Sequence, residues 1–372
     1  MTFDGADNLY AIIGEKRLMR FDPSGNASVL AGSGVQGFSG DGGPASQATL
    51  YAGVSSSGIA INAEGDIFFV DGENLRVRAI RKGASPTPLV ASTHPSRLVN
   101  LSCRAQVGTG ANQLIVGFAV STPSTSSTEP VLVRASGPAL VGFGVSGVLP
   151  DPQLTLSGTG GVIASNSAWK GSTQVVSTAA AVGAFAWTSS ASNDSALIQT
   201  LLIGAYTAQI AGSSGDTGVA LAEVYDATAQ GTLTSSSPRL VNLSARVMVG
   251  TGNNILIAGF VISGTSPKAV LIRASGPALS PFGVPGVLPD PQLSLYRSNS
   301  DGTSTLIGKN TGWAGNTFIA AASASVGAFS WGASATPDSA ILLALPPGAY
   351  TAEVAGASGD TGVALVEVYD VR

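Results

Sequence analysis

Residues 348–370 read GAYTAEVAGASGDTGVALVEVYD, and residues 204–226 read GAYTAQIAGSSGDTGVALAEVYD; 19 of the 23 positions are identical. A chain that repeats itself this closely must fold as two copies of one unit, each closing on the same pair of segments. In Tyr350-Thr351-Ala352-Glu353-Val354 apolar and polar residues alternate, which places Tyr350, Ala352 and Val354 on one face of a strand. The turn GASGDTG that follows is rich in residues that accept positive φ or cap a turn with a side-chain oxygen. The next segment, from Val363 to Tyr369, is apolar on both faces and so belongs in a sheet covered on both sides. Pro346-Pro347-Gly348 cannot continue a helix and starts the hairpin.

The duplication extends upstream. Arg-Leu-Val-Asn-Leu-Ser recurs at Arg97 and at Arg239, so the copies run over 97–226 and 239–372. Their offset is 142 residues, then 139, then 144, and the slippage falls in loops near 123–129 and 298–301. The second copy predicts strands at 239–249, 255–263, 269–274, 292–296, 305–309, 339–345, 349–355 and 363–369. Residues 317–329, TFIAAASASVGAF, fit either a short helix or a wide loop. A parallel α/β arrangement would need a helix of about ten or more residues between most strands, and the sequence does not supply them. Two homologous antiparallel β-sandwich domains are therefore expected. Uncharged stretches at 83–96, with three prolines, and at 227–238 read as linkers that permit relative motion unless the modules dock on one another.

Composition narrows the function classes. Charged residues make up 11% of the 372 and glycine accounts for 48 of them, a balance of short strands and turns. The net charge of −4 divides as −2 over 1–84, −2 over 97–226 and 0 over 239–372. No basic patch suited to nucleic acid is present, and no apolar run reaches the roughly 18 residues of a membrane helix. The single Cys103 aligns with Ala245 and reads as a small core residue; the single His94 lies in a linker, which disfavours a His-based metal site or a Ser-His-Asp triad. Residues 1–4 lack the features of a secretory leader.

Residues 1–82 differ in style. Asp4-Gly-Ala-Asp-Asn-Leu-Tyr10 echoes Asn62-Ala-Glu-Gly-Asp-Ile-Phe68, and each leads to a basic strand, one from Lys16 to Phe21 and one from Leu75 to Ile80. With the intervening GFSGDGGPA at 37–45, this set resembles the NHL-type β-propeller repeat. The resemblance implies about two blades. A propeller closes with roughly four to eight blades, so the others would come from an absent part of the parent chain or from another subunit. The chain thus looks like the C-terminal part of a longer secreted protein. The two modules resemble tandem β-sandwich repeats at the C-termini of large secreted bacterial proteins. Their last 35 or so residues are distantly similar to the pre-peptidase C-terminal domain, which implies an accessory role. The fold class is therefore all-β: a partial propeller segment followed by the two sandwiches.

Polar residues that recur at matched positions are the site candidates. Arg134 and Arg273 sit in apolar strands, and a buried unpaired charge is costly, by several kcal/mol. Glu223 and Glu367, also within apolar strands, are the expected partners, as Arg134–Glu223 and Arg273–Glu367 structural ion pairs. The less favoured use of these arginines is ligand binding. Asp151, Asp290, Asp194 and Asp338 read as turn and strand-start caps, and Asp216 and Asp360 lie in the hairpin turn. No D-x-D-x-D run suggests calcium, and no metal or cofactor is expected. Trp169 and Trp313 read as partly buried edge residues, or alternatively as contacts for a sugar ring. Ser136 and Ser275 lack a base, and G-x-S-x-G is not formed. Gly40-Asp41-Gly42-Gly43 is a turn, since no Lys-Ser/Thr follows it.

These residues point to a non-enzymatic, extracellular or cell-surface structural or adhesion protein. Its sandwiches would be spacer or assembly units, with self-association into fibres by strand addition as one route. The alternative is a carbohydrate- or peptide-binding accessory module, and a third reading is an enzyme whose active site lay in the propeller. Expected partners are protein, by self-association or through blades of the parent chain, or glycans, with no nucleic acid and no membrane span.

Overall fold

The computed structural model describes residues 1–53, 58–62, 65–74, 76–81, 96–121, 127–229, 233–234, 236–332 and 337–371. His94, nearly all of the 83–96 linker, part of the 227–238 linker and Leu75 lie outside the described residues. The chain is all-β, its named strands pair antiparallel, and it divides into two compact units, Met1–Ala91 and Ser92–Arg372. Among the described residues no helix is long and apolar enough to cross a membrane.

In the first unit, strands β1 (Thr2–Phe3), β2 (Leu9–Ile13), β3 (Arg17–Phe21) and β4 (Ala27–Ala31) form an antiparallel meander. Strands β5 (Ile59–Ile61), β6 (Ile67–Asp71) and β7 (Arg76–Ile80) form a second sheet. The sequence echo has a mechanical reason: Asp4 accepts from the amides of Ala6 and Asn8, and Asn62 accepts from the amide of Asp66. Each is a side-chain-closed turn that launches a strand. Leu18, Leu50 and Phe69 share one core. The GFSGDGGPA loop is tied down by Arg78, whose guanidinium donates to Asp41, to the carbonyls of Ser39 and Thr49, and to buried Asp71.

The second unit holds both repeats. The first contributes β8 (Arg97–Val107), β9 (Leu114–Ser121), β10 (Thr128–Ser136), β11 (Pro152–Gly158), β12 (Gly161–Asn166), helix α1 (Thr173–Ala181), β13 (Ser195–Leu202), β14 (Gly204–Gly212) and β15 (Gly218–Asp226). The second contributes β16 (Arg239–Val249), β17 (Leu256–Ser263), β18 (Lys268–Ser275), β19 (Pro291–Ser298), β20 (Ser304–Asn310), helix α2 (Thr317–Ser325), β21 (Ser339–Leu345), β22 (Gly348–Gly356) and β23 (Gly362–Asp370). The eight strands expected of the second copy are all present, and the Ala-rich stretch is a helix. Asn316 caps it by accepting from the amides of Phe318 and Ile319, as Ser172 caps α1 through the amide of Val175.

The pairing of these strands joins the repeats. β8 does not pair with β9; it lies between β15 of its own repeat and β17 of the other. Reciprocally, β16 lies between β23 and β9. One sheet therefore runs β13-β10-β15-β8-β17-β22-β19-β20, and the other β21-β18-β23-β16-β9-β14-β11-β12. Arg104 faces Ile257 in the first sheet, and Arg246 faces Ile115 in the second. The two joins are thus related by a pseudo-two-fold, and Leu98 pairs with Leu240 where it passes. Both joins carry a register shift after the second strand residue, beside Val99 and Val241. A single core threads the pair, with Leu101, Phe118, Leu243, Phe260 and Tyr350 all essentially inaccessible.

The strands are patterned for their place. β9 and β17 alternate buried and half-buried positions, since their outer faces meet solvent. β10, β15, β18 and β23 are buried on both faces over most of their length because α1 and α2, with the aromatic segments that follow them, cover the outer side. Each repeat is a sandwich with a partial third layer.

Candidate functional site

The polar residues that recur in both repeats converge beneath that third layer. Arg134 stands in the middle of β10 with Glu223 as its cross-strand partner on β15, and Arg273 on β18 faces Glu367 on β23 in the same register. The structure brings each pair together: Arg134 Nε lies 3.4 Å from Glu223 Oε2, and Arg273 Nε lies 3.5 Å from Glu367 Oε2. Both arginines are almost fully buried, at 1% and 0% exposure.

Aromatic rings complete their surroundings. The Arg134 guanidinium sits 4.5 Å from the Phe185 ring and 4.3 Å from that of Trp187; Arg273 sits 4.6 Å from Phe329 and 4.3 Å from Trp331. A weakly hydrated, planar cation suits such a clamp better than an ammonium would. Arg134 also donates through Nη1 to the carbonyl of Phe185 at 2.9 Å. On the acid side, Tyr225 donates to Glu223 at 2.6 Å and Tyr369 donates to Glu367 at 2.5 Å. Burial pushes both glutamates up from the ordinary carboxylate range, against the pull of their arginines.

Ser136 and Ser275 are absorbed into this frame. The Trp187 indole donates to Ser136 Oγ at 3.0 Å, and the Trp331 indole donates to Ser275 Oγ at 2.9 Å. Asp194 accepts from the amides of Gly137 and Ala139 at 2.7 and 3.2 Å, and Asp338 accepts from those of Gly276 and Ala278 at 2.7 and 3.3 Å. Asp151 and Asp290 each accept from a serine, Ser214 and Ser358, in the turn between the last two strands of their repeat. The cluster locks the covering layer to the sheet, and its groups face one another rather than solvent.

Trp169 does not stand in a sugar-binding groove. It is buried, packed edge-on against Trp187 at 5.3 Å, and its indole donates to Ser192, which in turn donates to Asp194. Trp313, half-buried, makes the equivalent edge contact with Trp331 at 5.5 Å. Both rings are used in packing the third layer. Cys103 is fully buried opposite Ala258, and burial pushes its thiol up to about 12. Among the described residues there is no group of three or more His, Cys, Asp and Glu placed to hold a metal.

One buried charge cluster is not among the sequence candidates. Arg97, at the start of β8, contacts both Glu129 (3.0 Å) and Asp226. Burial, then the neighbouring Asp226 carboxyl, pushes Glu129 up to about 9. The matching position in the second repeat is Lys268, which pairs with Asp370 beside Arg239. The signal was an opposite charge at matched positions 129 and 268, offset by 139 residues.

No protein-family model matches the chain. No curated protein matches it either. Among solved structures it is similar to "Structure of PNGF-II in P21 space group", at 10% identity over 99% of this chain and 91% of that one, with a TM-score of 0.19. The companion "Structure of PNGF-II in C2 space group" gives 10% identity, 98% and 88% coverage and a TM-score of 0.19. Likeness at that level carries no argument about fold or activity, so the functional reading rests on the chain's own geometry.

Proposed function

We propose that this chain is a non-enzymatic structural or adhesion segment of an extracellular or cell-surface protein, its tandem sandwiches serving as spacer and assembly units that join further copies by strand addition. The observation that carries the reading is the join already present inside the chain: two repeats united through main-chain pairing along both sheets. A unit that associates with its own copy in this way has the chemistry needed to associate with another chain.

The outer strands supply the place. Among the described residues β12 pairs on one side only, with β11, and β20 pairs only with β19. Each exposes two adjacent apolar side chains, Val162 and Ile163 on β12 and Leu306 and Ile307 on β20. Charged side chains usually blunt such edges; β12 carries none, and β20 carries Lys309 alone. The similarity of residues 1–82 to propeller blades and of the modules to C-terminal repeats of secreted proteins supports the extracellular setting. The test is sedimentation and negative-stain electron microscopy of the full chain over a concentration series. Growth into dimers and linear oligomers is expected, and Val162→Lys with Leu306→Lys should abolish it. A chain that stays monomeric at about 100 μM, above the micromolar range of weak specific contacts, would end the assembly reading.

A further inference from the structure

On the outer face of each eight-stranded sheet, one row of side chains crosses the join between the repeats. In the first sheet it runs Leu221, Arg104, Ile257, each the register partner of the next. Leu140, Phe143 and Val145 from the turn after β10, with Phe185, wall this row into a groove of about 290 Å³. Phe143 is 64% exposed and meets Phe185 edge-on at 5.0 Å. In the second sheet the row is Leu365, Arg246, Ile115, and Phe282, also 64% exposed, meets Phe329 edge-on at 5.2 Å.

Arg104 and Arg246 are half-buried, and among the described residues the side chain of neither makes a hydrogen bond or an ion pair. Each groove therefore offers one uncommitted guanidinium on an apolar, aromatic-walled floor. We propose that the two grooves bind small amphiphilic monocarboxylates: a single carboxylate on the arginine and an apolar body along the phenylalanines.

Three features select this occupant. The groove lies on a sheet face, where the strand amides and carbonyls are already paired along the ladder, so a peptide main chain would find no partners there. A second copy of this chain would bring an arginine against an arginine in either sheet, which like charge disfavours. The volume sits near the lower end of the roughly 300–1,000 Å³ of small-molecule sites, which suits a short chain. The two grooves are not equal. Glu353 is the next residue in the first row, beside Ile257, whereas Gln209 holds that place beside Ile115. An acid about two strand spacings, roughly 10 Å, from Arg104 weakens its hold on an anion, so the Arg246 groove takes the carboxylate more tightly.

The test is calorimetric titration of the full chain with decanoate below its aggregation limit, alongside decanol and decyltrimethylammonium. Two decanoate sites per chain are expected, with both comparison amphiphiles at least about tenfold weaker. Arg246→Gln should remove the tighter site, Arg104→Gln the weaker, and Arg246→Lys should keep measurable binding. Equal binding of decanol, or decanoate affinity unchanged in the double Gln variant, overturns the proposal, as does no binding at all. Should a variant fail to fold by its melting curve, the comparison of the three amphiphiles on the unaltered chain decides alone.

Discussion

The join between the repeats makes a prediction whose sign can be read. Gly259 in β17 faces Ser102 of β8, and a Cβ built on Gly259 would lie 2.6 Å from Ser102 Oγ. The mirror position repeats this: a Cβ on Gly117 would lie 2.6 Å from Ser244 Oγ. In an ordinary strand, replacing glycine by alanine stabilises by about 0.5–1 kcal/mol through lost chain freedom. Here the added methyl must displace the Ser102 hydroxyl, which donates to the Gly259 carbonyl at 3.5 Å. Displacement forfeits that long bond, worth at most about 0.5 kcal/mol, and adds overpacking of roughly 1–3 kcal/mol. Gly259→Ala should therefore destabilise by about 1 kcal/mol net. With Ser102→Ala the obstacle is gone, since the Ser102 Cβ lies 4.0 Å from the new methyl, and Gly259→Ala should become neutral or stabilising. The measurement is a double-mutant cycle by differential scanning calorimetry of the second unit's transition. A coupling of about 1–2 kcal/mol between residues 157 apart is expected, and Gly117→Ala with Ser244→Ala should match it. If Gly259→Ala stabilises the protein with Ser102 intact, the hydroxyl turns aside at no cost and the overpacking argument fails.

Two further outcomes follow from the buried charges. Glu367→Ala leaves Arg273 clamped between two rings without its acid and should cost about 3–5 kcal/mol, whereas Arg273→Met with Glu367→Leu should recover more than half of that; a cost below about 1 kcal/mol for the single change, by denaturant titration, would show the pair to be incidental. Glu129 has a folded-state pKa raised to about 9 from an ordinary 4.5, so between those values the folded state holds the extra proton. Its contribution is present below about pH 4.5 and is lost as pH rises toward 9, with a slope of at most about 1.4 kcal/mol per pH unit. Glu129→Gln should flatten the fall in melting temperature between pH 5 and 9; an unchanged slope would place the titration elsewhere.

Much of this was legible in the chain itself. The strands follow from alternation, and the Arg134–Glu223 and Arg273–Glu367 contacts follow from lone charges in apolar strands that must lie side by side. The duplication sharpened both, because chance charges seldom recur in register. What the sequence does not reveal is strand order. β8 and β9 look like a hairpin, since their alternation is satisfied equally by a partner from either repeat. Only the mid-strand Gly117 and Gly259, set against Ser102 and Ser244, mark the true neighbours, and that mark needs the register to be read. Trp169 and Trp313 were ambiguous for a different reason. The segments that carry them, between β12 and β13 and between β20 and β21, have no period of 2 over their length, so nothing in them states that the rings turn inward under a third layer.

The reciprocal join has an arithmetic consequence. Each repeat lends two borders, β8 and β9 in one, β16 and β17 in the other, and the loan closes only when a second repeat returns it. A solitary repeat would present two raw borders side by side, while a third would find none of these four vacant. Units of this design belong in even numbers, and a deletion that removed one would disable its sibling as well. Drift is constrained likewise: a residue that grows at position 259 must be answered at 102, so the halves are bound to change together.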